Sequence, residues 1–451
     1  MSAPDGTMFA PAVEAMPREQ MRVLQLDRLQ AQLASVAQRS PFYAELWKAA
    51  GFDPLAVRSL EDFDAPFTTK ELLRDSQLAA PPLGRHAAVP MVDVVRIHAS
   101  SGTTGQPSYV GITHADRESW TEVVARVLYC EGMRPDDVVV HAFGLGFFVG
   151  GLPLKDATER IGATFVPIGT GASDRVVQSI RDLGATALMC TPSYATYLAE
   201  YCRDRLGMEP GELGLRKLLV GAEPGGSIPA VRKQLEADYG ATVSDGMGNA
   251  DVFPIYLASC PEQDGLHLCG QDELLVELVD PATGERLEWL DGVEGELVAT
   301  HLRRECVPLV RFRVRDRVTV TMSPCACGRT SPRLHCAGRT DDLLFVAGVN
   351  VWPSAVQDVV AGIAPRTTGA LQILLADQGP VVRPPLHLQV EYGPDEEDLD
   401  GLRGEVERAL RDQLVVPARV DLVPPGALPR WEMKAKLIKR RWRASEHRSE
   451  R

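Results

Sequence analysis

Positions 99–107 form a run of small and hydroxyl-bearing residues that reads Ala-Ser-Ser-Gly-Thr-Thr-Gly-Gln-Pro. Glycine lets a backbone approach a ligand closely, successive free N–H groups attract an anion, and hydroxyl groups add hydrogen-bond donors. This chemistry suits a phosphate chain, although the spacing of a Walker A motif is absent. A polar turn is the alternative interpretation. The candidate phosphate-binding residues are Ser100, Ser101, Gly102, Thr103, Thr104 and Gly105.

Three cysteines and one histidine could form a second site, for a metal ion. Cys325 and Cys327 are separated by one residue, and Cys260 and His267 lie upstream of them. Three thiolates and one imidazole make a closed ligand set for structural zinc. The alternative is that these groups are free buried thiols. The further cysteines that could replace one of the ligands are Cys269, Cys306 and Cys336.

The composition limits the classes of protein to which this chain can belong. A chain of 451 residues exceeds the size at which one core keeps growing, so we expect two or more domains. A net charge of −13 argues against general nucleic-acid binding. The nine cysteines, without a recognisable secretion signal, do not predict a disulfide framework. No apolar run is long enough to span a bilayer, and we expect a cytoplasmic protein.

The elements that must position these residues change along the chain. Residues 138–239 alternate short apolar strands with helical stretches, a pattern typical of parallel sheets covered by helices. Ligands bind such folds at the loops beyond the carboxyl ends of the strands. Residues 273–320 favour strands and turns. We therefore predict an α/β protein with a large N-terminal domain of mixed and parallel sheets over residues 1–337. A small, mobile α+β lid domain follows over residues 338–451.

The phosphate-loop candidate lies within a longer motif, residues 96–113, which reads Arg-Ile-His-Ala-Ser-Ser-Gly-Thr-Thr-Gly-Gln-Pro-Ser-Tyr-Val-Gly-Ile-Thr. This motif resembles the nucleotide-phosphate loop of acyl-adenylate-forming enzymes, and specifically that of phenylacetate–CoA ligases and their aryl-acid relatives. Gln106 stands where that family usually has lysine. The resemblance covers nearly the whole chain, from residues 24–29 through Phe-Thr-Thr-Lys-Glu-Leu at 67–72 to the C-terminal motif. It implies activation of an aryl or arylacetic acid by Mg²⁺–ATP as an acyl-adenylate, followed by transfer to coenzyme A.

The resemblance also assigns roles around the proposed hinge and lid. The segment Val-Arg-Phe-Arg-Val-Arg-Asp ends at Asp316, which would accept hydrogen bonds from the ribose hydroxyls. In Gly-Arg-Thr-Asp-Asp, residues 338–342, Arg339 would lie toward the ribose and Asp341 would act as the hinge. Leu-Pro-Arg-Trp-Glu-Met-Lys at residues 428–434 resembles the motif that carries the adenylation lysine, here Lys434. Its ammonium would stabilise charge on the α-phosphate and carboxylate oxygens.

Two further motifs would line the nucleotide site. In Asp-Gly-Met-Gly-Asn-Ala-Asp, residues 245–251, Met247 replaces a tyrosine that flanks adenine and Asp251 replaces a glutamate that binds magnesium. A glycine-rich acidic loop is the alternative reading of this stretch. Residues 221–227 resemble the adenine-side loop, and relatives often have a bulkier residue at Gly225 or Gly226, which predicts a pocket that is roomier or differently shaped. The other nucleotide-binding candidates are Asp245, Gly248, Ala222, Glu223 and Pro224.

The acyl group would lie against residues 143–151, a glycine- and aromatic-rich stretch. Lys155 falls near a position where relatives often have histidine. It could pair with a carboxylate or phenolate on the substrate or with an exposed Asp156, or it could be an ordinary surface lysine. The candidate substrate-binding residues are Phe143, Phe148, Gly150 and Lys155.

Two other functions stay open on the sequence alone. The adenylate could be passed to an amine, nitrite or a carrier protein instead of coenzyme A. Alternatively, the chain could be a non-catalytic adenylate-binding homologue. The departures at Gln106 and Met433 slightly favour this alternative, and the presence of Asp316, Arg339 and Lys434 argues against it. The expected partners are a small aromatic carboxylic acid and, from the relatives, a second copy of the chain. We expect no nucleic-acid or membrane partner.

Overall fold

A mixed sheet of twelve strands runs through the larger part of the chain. The computed structural model describes residues 6–99, 108–340, 342–347, 349–376, 380–430 and 437–440. The helices are α1 (Pro11–Glu14), α2 (Arg18–Arg39), α3 (Pro41–Ala50), α4 (Lys70–Ala79), α5 (His114–Cys130), α6 (Leu152–Ile161), α7 (Ser173–Leu183), α8 (Pro192–Tyr201), α9 (Pro229–Tyr239), α10 (Pro353–Ala361) and α11 (Leu399–Leu414). Short helical turns lie at Met91–Asp93, Cys202–Leu206 and Pro210–Leu213.

The strands fall into four sheets within the described residues. The strands before residue 260 are β1 (Arg96–Ala99), β2 (Tyr109–Ile112), β3 (Val138–His141), β4 (Thr164–Pro167), β5 (Ala187–Cys190), β6 (Lys217–Gly221), β7 (Thr242–Asn249) and β8 (Phe253–Ser259). Those that follow, up to the hinge region, are β9 (Leu266–Leu268), β10 (Leu274–Val279), β11 (Arg286–Leu287), β12 (Glu294–His301), β13 (Phe312–Thr321) and β14 (Arg333–Arg339). The last strands are β15 (Leu344–Val346), β16 (Val349–Val351), β17 (Thr367–Leu375), β18 (Val381–Val382), β19 (Leu386–Tyr392), β20 (Ala418–Val423) and β21 (Ile438–Arg440).

One half of the twelve-stranded sheet is parallel, as the alternation of strands and helices predicts. Strands β7, β6, β5, β3 and β4 lie side by side in that order, all parallel. Every residue of β5 is buried, and its successive side chains enter two different apolar cores, one on each face. Helices cover both faces, which is why these strands are continuously apolar.

The other half of the sheet is antiparallel and runs β7-β8-β9-β14-β13-β12-β10-β11. Strand β13 alternates buried and half-buried residues, so its apolar side chains enter the core while its arginines face outward. Strand β13 begins at Phe312. Arg311, the residue before β13, has a left-handed backbone with a φ of 45°. Arg315 within the strand also has a left-handed backbone, with a φ of 72°, and the pairing of β13 with β12 is irregular there.

The chain beyond the twelve-stranded sheet builds a separate small sheet with its own apolar core. Strands β20, β19, β17 and β21 pair in that order, and α10 and α11 pack against them. The mixed α/β architecture is confirmed. Strand β14 runs to Arg339, two residues past the predicted boundary at 337/338, and that boundary stays a prediction. No helix in the described part of the chain is both long and apolar enough to cross a membrane.

Candidate active site

The strands that flank the proposed phosphate loop are well defined. β1 and β2 pair antiparallel, with Ala99 opposite Tyr109. The backbone N–H of Ala99 donates to the carbonyl of Phe147 at 3.0 Å, which ties this hairpin to the proposed acyl-pocket stretch. Ser100, Ser101, Gly102, Thr103, Thr104, Gly105 and Gln106, together with Asp341, Met433 and Lys434, lie outside the described residues. Their roles stay predictions.

The two proposed ribose-binding residues lie next to each other. Asp316 on β13 is the register partner of Arg339 on β14. Nη1 of Arg339 lies 3.4 Å from Oδ1 of Asp316 and donates to the carbonyl of Val314 at 3.2 Å. Asp316 is buried and Arg339 is half-buried. The antiparallel register therefore joins a carboxylate acceptor in the middle of β13 and a guanidinium donor at the end of β14.

The stretch 245–251 is a strand for most of its length, and the glycine-rich loop reading is wrong up to Asn249. Asp245 is buried, accepts a hydrogen bond from the Ser227 hydroxyl and has its pKa raised by burial to about 6. Met247 is half-buried and packs on the core of the antiparallel half. A side chain at Gly248 would approach the carbonyl oxygen of Pro254 to 2.0 Å, so the strand requires glycine there.

Asp251 follows β7 and is held by a residue far away in the sequence. Nζ of Lys70, the first residue of α4, lies 2.5 Å from Oδ2 of Asp251, and both side chains are largely buried. The backbone N–H of Asp251 donates to Oδ1 of Asn249 at 3.0 Å. Asp251 belongs to no cluster of three metal-ligating groups among the described residues. A single carboxylate suits Mg²⁺, which keeps several waters and binds substrate phosphates as well.

The proposed adenine-side loop follows β6. Oε1 of Glu223 accepts a hydrogen bond from the backbone N–H of Ser193 at 2.8 Å, in the first turn of α8. Ala222 adopts a left-handed backbone with a φ of 70°, and Pro224 follows two residues later. The loop is thus anchored to the amino end of a helix that covers the parallel half of the sheet.

The expectation of a roomier pocket at Gly225 and Gly226 is wrong. A side chain on Gly225 would lie 2.4 Å from the ring of Pro192. A side chain on Gly226 would lie 2.6 Å from Val220 and 2.7 Å from Asp245. Neighbouring groups already fill the space above both glycines, so their small size serves close packing of the loop and leaves no additional cavity.

The proposed acyl-pocket stretch is held at one end by a buried imidazole. Nε2 of His141 donates to the carbonyl of Gly150 at 2.9 Å. Burial lowers the pKa of His141 to about 4, so the ring is neutral. The ring packs edge-on against Phe143 and at a tilt against Phe165. Phe148 is exposed. The stretch therefore combines a fixed end with an accessible aromatic side chain.

Lys155 has protein partners in this structure. Its ammonium lies 2.7 Å from Oε2 of Glu159, one helical turn away, and 3.5 Å from Oδ1 of Asp156. The expectation that Asp156 is exposed is wrong, because Arg96 pairs with its other carboxylate oxygen at 3.0 Å and its side chain is largely buried. These ion pairs are typical of a surface lysine, and a role of Lys155 toward the substrate stays a prediction.

The four groups proposed as zinc ligands converge. The ligand atoms of Cys260, His267, Cys325 and Cys327 all lie within 4.8 Å of one another. Sγ of Cys260 is 3.7 Å from Sγ of Cys325, and Sγ of Cys327 is 3.3 Å from Nε2 of His267. Nδ1 of His267 is hydrogen-bonded to the Ser331 hydroxyl at 3.0 Å, which fixes the orientation of the ring.

The other cysteines do not take part in this cluster. The alternatives Cys269, Cys306 and Cys336 lie outside the four-ligand group, and all nine cysteines are free of disulfides. Three more cysteines are each buried within an apolar cluster of the core; they are Cys130, Cys190 and Cys202. Three thiols and an imidazole with a fixed ring match the donor set that zinc prefers.

Comparison with known proteins decides the family. Residues 20–301 match the profile described as AMP-binding enzyme, and residues 348–441 match the profile of the AMP-binding enzyme C-terminal domain. The chain belongs to the AMP-binding enzymes. This AMP-binding enzyme is similar to the phenylacetate-coenzyme A ligase of Thermus thermophilus, with 39% identity over 94% of the chain and 97% of the relative. It is 37% identical to the Escherichia coli phenylacetate-coenzyme A ligase over 77% of the chain and 78% of the relative. The resemblance identified from the sequence is confirmed.

Two solved structures of 2-hydroxyisobutyryl-CoA ligase provide a structural comparison. The AMP-binding enzyme matches the postadenylation state, in complex with 2-HIB-AMP, with a TM-score of 0.91 at 32% identity, covering 99% of the chain and 96% of the structure. It matches the thioesterification state, in complex with 2-HIB-AMP and CoA, with a TM-score of 0.72 at 33% identity, covering 100% and 96%. Sequence identity and coverage hardly differ between these two comparisons. The difference in TM-score therefore reflects how the large domain and the C-terminal part are arranged in each structure.

Sequence reasoning missed two charged residues that contact this AMP-binding enzyme's motifs. Lys70 belongs to the Phe-Thr-Thr-Lys motif quoted above, and that motif could have drawn attention to it. Glu200 lies at the carboxyl end of α8 and pairs with Arg430, which is the third residue of the Leu-Pro-Arg motif. No local pattern distinguishes Glu200 from other surface glutamates.

Proposed function

We propose that this AMP-binding enzyme activates an aromatic carboxylic acid, aryl or arylacetic, with ATP and transfers the acyl group to coenzyme A. The substrate carboxylate attacks the α-phosphorus of ATP, and pyrophosphate leaves. The coenzyme A thiolate then attacks the acyl carbonyl carbon, and AMP leaves. The observation that carries this proposal is the 39% identity to a phenylacetate-coenzyme A ligase over 94% of the chain.

The geometry supports a division of labour among the site residues. Asp316 offers two acceptor oxygens to the vicinal ribose hydroxyls, and Arg339 beside it would orient that carboxylate and bind the nucleotide. Met247 and the loop of Ala222, Glu223 and Pro224 would lie against the adenine. Lys434 and residues 100–105 would stabilise the phosphates. Mg²⁺, held by Asp251, would neutralise phosphate charge when bound.

We infer that the C-terminal part of the chain lies in the arrangement of the adenylation side of the cycle. The TM-score of 0.91 against the postadenylation-state structure, compared with 0.72 against the thioesterification state, supports this assignment. The lid would rotate about Asp341 between the two half-reactions. Rotation exchanges the residues that face the acyl-adenylate, so one site can perform two chemical steps.

We propose that Cys260, His267, Cys325 and Cys327 hold a structural zinc ion. The convergence of their ligand atoms within 4.8 Å supports this proposal. A four-ligand set leaves no open position for a substrate, which favours a structural role over a catalytic one. Free cysteines elsewhere in the chain suit the reducing conditions of a cytoplasm.

A second candidate substrate class is a small aliphatic hydroxy acid. The close superposition on 2-hydroxyisobutyryl-CoA ligase favours it. Exchange of labelled pyrophosphate into Mg²⁺–ATP, measured with phenylacetate, benzoate and 2-hydroxyisobutyrate, separates the candidates. We expect fastest exchange with an aromatic acid. Exchange only with 2-hydroxyisobutyrate would favour the second candidate, and absence of exchange with any acid would favour a non-catalytic homologue.

A further inference from the structure

Arg430 links two parts of the chain that belong to different family profiles. Its Nε and Nη2 atoms donate to the two carboxylate oxygens of Glu200 at 2.7 and 2.9 Å. Its Nη1 donates to Oε2 of Glu391 at 3.0 Å. Glu200 lies on α8, within residues 20–301, whereas Glu391 lies on β19, within residues 348–441. One guanidinium therefore bridges the large sheet domain and the small C-terminal sheet.

The bond from Arg430 to Glu391 belongs to the internal structure of the small sheet. Glu391 is fully buried and also accepts hydrogen bonds from the Thr368 hydroxyl at 3.1 Å and the Leu428 backbone at 3.2 Å. Burial alone would raise the pKa of Glu391, but Arg430 and the backbone N–H groups of Gly426 and Leu428 hold the pKa below its ordinary value. Arg430 is thereby anchored to the C-terminal sheet in a fixed orientation, whatever the position of that sheet.

The bond from Arg430 to Glu200 depends on how the two parts are arranged. Both side chains are partly exposed, and the contact is a two-pronged one, which has stricter geometry than a single ion pair. Among the ion pairs in which the structure describes both residues, the Arg430–Glu200 pair is the one that joins residues before 340 to residues after 342. A hydrogen bond between the facing helices α9 and α10, from the Ala230 N–H to Oδ1 of Asp358, is long at 3.4 Å. The Ser354 hydroxyl at the start of α10 donates to the carbonyl of Ala337 on β14 at 2.8 Å, close to the domain boundary.

We propose that Arg430 is a positioning residue for the adenylation half-reaction and that Glu200 is its docking partner on the large domain. The pair would hold the C-terminal sheet in the arrangement seen here, and the transfer to coenzyme A would require the pair to separate. Lys434 lies four residues after Arg430 in the sequence, so an anchor at Arg430 acts close to the proposed adenylation lysine. This inference rests on the proposed function.

The test measures the two half-reactions separately in Glu200→Gln, Arg430→Lys and wild type. Adenylation is followed as pyrophosphate exchange, and thioester formation as consumption of supplied phenylacetyl-adenylate with coenzyme A. We expect Glu200→Gln to slow adenylation about three- to tenfold, the range for a partly exposed two-pronged ion pair, while thioester formation is unchanged or faster. Arg430→Lys keeps the positive charge but loses the two-pronged contact of the guanidinium. Its adenylation rate should lie between those of wild type and Glu200→Gln.

Glu236→Gln is the matched control, because Glu236 lies on α9 and forms no ion pair with another described residue. Equal rates for Glu200→Gln and Glu236→Gln in both half-reactions would overturn the proposal. An equal loss in both half-reactions would also overturn it, since that is the effect of a purely structural residue.

Small-angle X-ray scattering gives a readout that needs no turnover. We expect the scattering of unliganded Glu200→Gln to depart from the profile calculated for this structure, while Glu236→Gln retains the wild-type profile. Unchanged scattering in Glu200→Gln would overturn the proposal. Altered scattering in a protein whose wild type shows no exchange with any acid would support the docking pair while contradicting the proposed function.

Discussion

Asp316 and Arg339 are register partners on neighbouring antiparallel strands, with Nη1 of the arginine 3.4 Å from Oδ1 of the aspartate. They are 23 residues apart in the sequence, and the pairing of β13 with β14 brings them together. Because Asp316 is buried and its partner is half-buried, the carboxylate is presented in a fixed orientation. This is the arrangement required of an acceptor for two adjacent hydroxyl groups.

Replacing Asp316 by asparagine should weaken nucleotide binding. The amide keeps the shape but loses the charge and one acceptor oxygen, so we expect the KM for ATP to rise about tenfold or more, which corresponds to the loss of a hydrogen bond to a charged group. Initial-rate kinetics at varied ATP would measure it. Asp136→Asn, an exposed carboxylate near α5, is the control. A KM for ATP within twofold of wild type would contradict the role of Asp316.

Asp251 should determine the requirement for magnesium. The Asp251→Asn variant keeps a hydrogen-bond acceptor near Lys70 but loses the anionic ligand, so we expect pyrophosphate release to fall at least about tenfold and the Mg²⁺ needed for half-maximal rate to rise. Asp251→Glu, which restores the residue of the relatives, should retain most activity. Titrations of the reaction rate with Mg²⁺ measure the effect in both variants. Identical titration curves for Asp251→Asn and Asp251→Glu would contradict the assignment of Asp251 as the magnesium ligand.

Loss of the proposed zinc should destabilise the fold locally around β9. We expect the purified protein to contain about one zinc ion per chain, and Cys327→Ser to lose it and to reduce the free energy of unfolding by about 2–5 kcal/mol. Elemental analysis and chemical denaturation measure the two quantities. Cys336→Ser, a half-buried cysteine outside the cluster, should retain the metal. A wild-type protein that binds no zinc when refolded with it would refute the site.

His301 should make stability depend on pH. It is fully buried, its Nε2 donates to the carbonyl of Val252 at 2.9 Å, and its Nδ1 accepts from the Leu309 N–H at 3.0 Å. Burial lowers the pKa of this ring to about 3 from an ordinary 6.5. A histidine whose folded pKa is lowered contributes stability above pH 6.5 that is lost progressively as the pH falls toward 3.

Comparison of wild type with His301→Asn isolates that contribution. Between pH 7 and pH 5, the free energy of unfolding of the wild type should fall by about 2 kcal/mol more than that of the variant. The reason is that pH 5 lies about 1.5 units below the ordinary histidine pKa, and each unit corresponds to about 1.4 kcal/mol. Urea denaturation at the two pH values measures it. Parallel changes in the two proteins would mean that the ring titrates in the folded protein with its ordinary pKa, and would contradict the lowered pKa of His301.

The sequence predicts much of the local structure, because strands and helices follow from apolar spacing and capping residues. The helix break at Ser40, the buried strand at residues 187–190 and the helix of residues 229–239 all lie where local pattern indicates. The zinc candidates were also recognisable, since ligand chemistry limits the choice to a few residue types. These features depend on neighbours in the chain or on rare side chains.

What the sequence could not predict depends on contacts between distant residues. Lys70 and Asp251 are 181 positions apart, and Arg430 and Glu200 are 230 apart. Asp156 looked exposed because nothing nearby in the sequence covers it, yet Arg96 pairs with it from another element. The glycines at 225 and 226 suggested empty space, whereas Pro192 and Asp245 occupy it. Only the assembled fold specifies which distant groups meet.

The most direct test of the central claim is identification of the reaction products by mass spectrometry. The protein would be incubated with Mg²⁺–ATP, coenzyme A and phenylacetate, with parallel reactions lacking coenzyme A. We expect phenylacetyl-CoA, AMP and pyrophosphate in equal amounts, and the acyl-adenylate with pyrophosphate but no thioester when coenzyme A is omitted. An acyl-adenylate that persists unchanged in the presence of coenzyme A, with no thioester from any aromatic acid, would contradict the account.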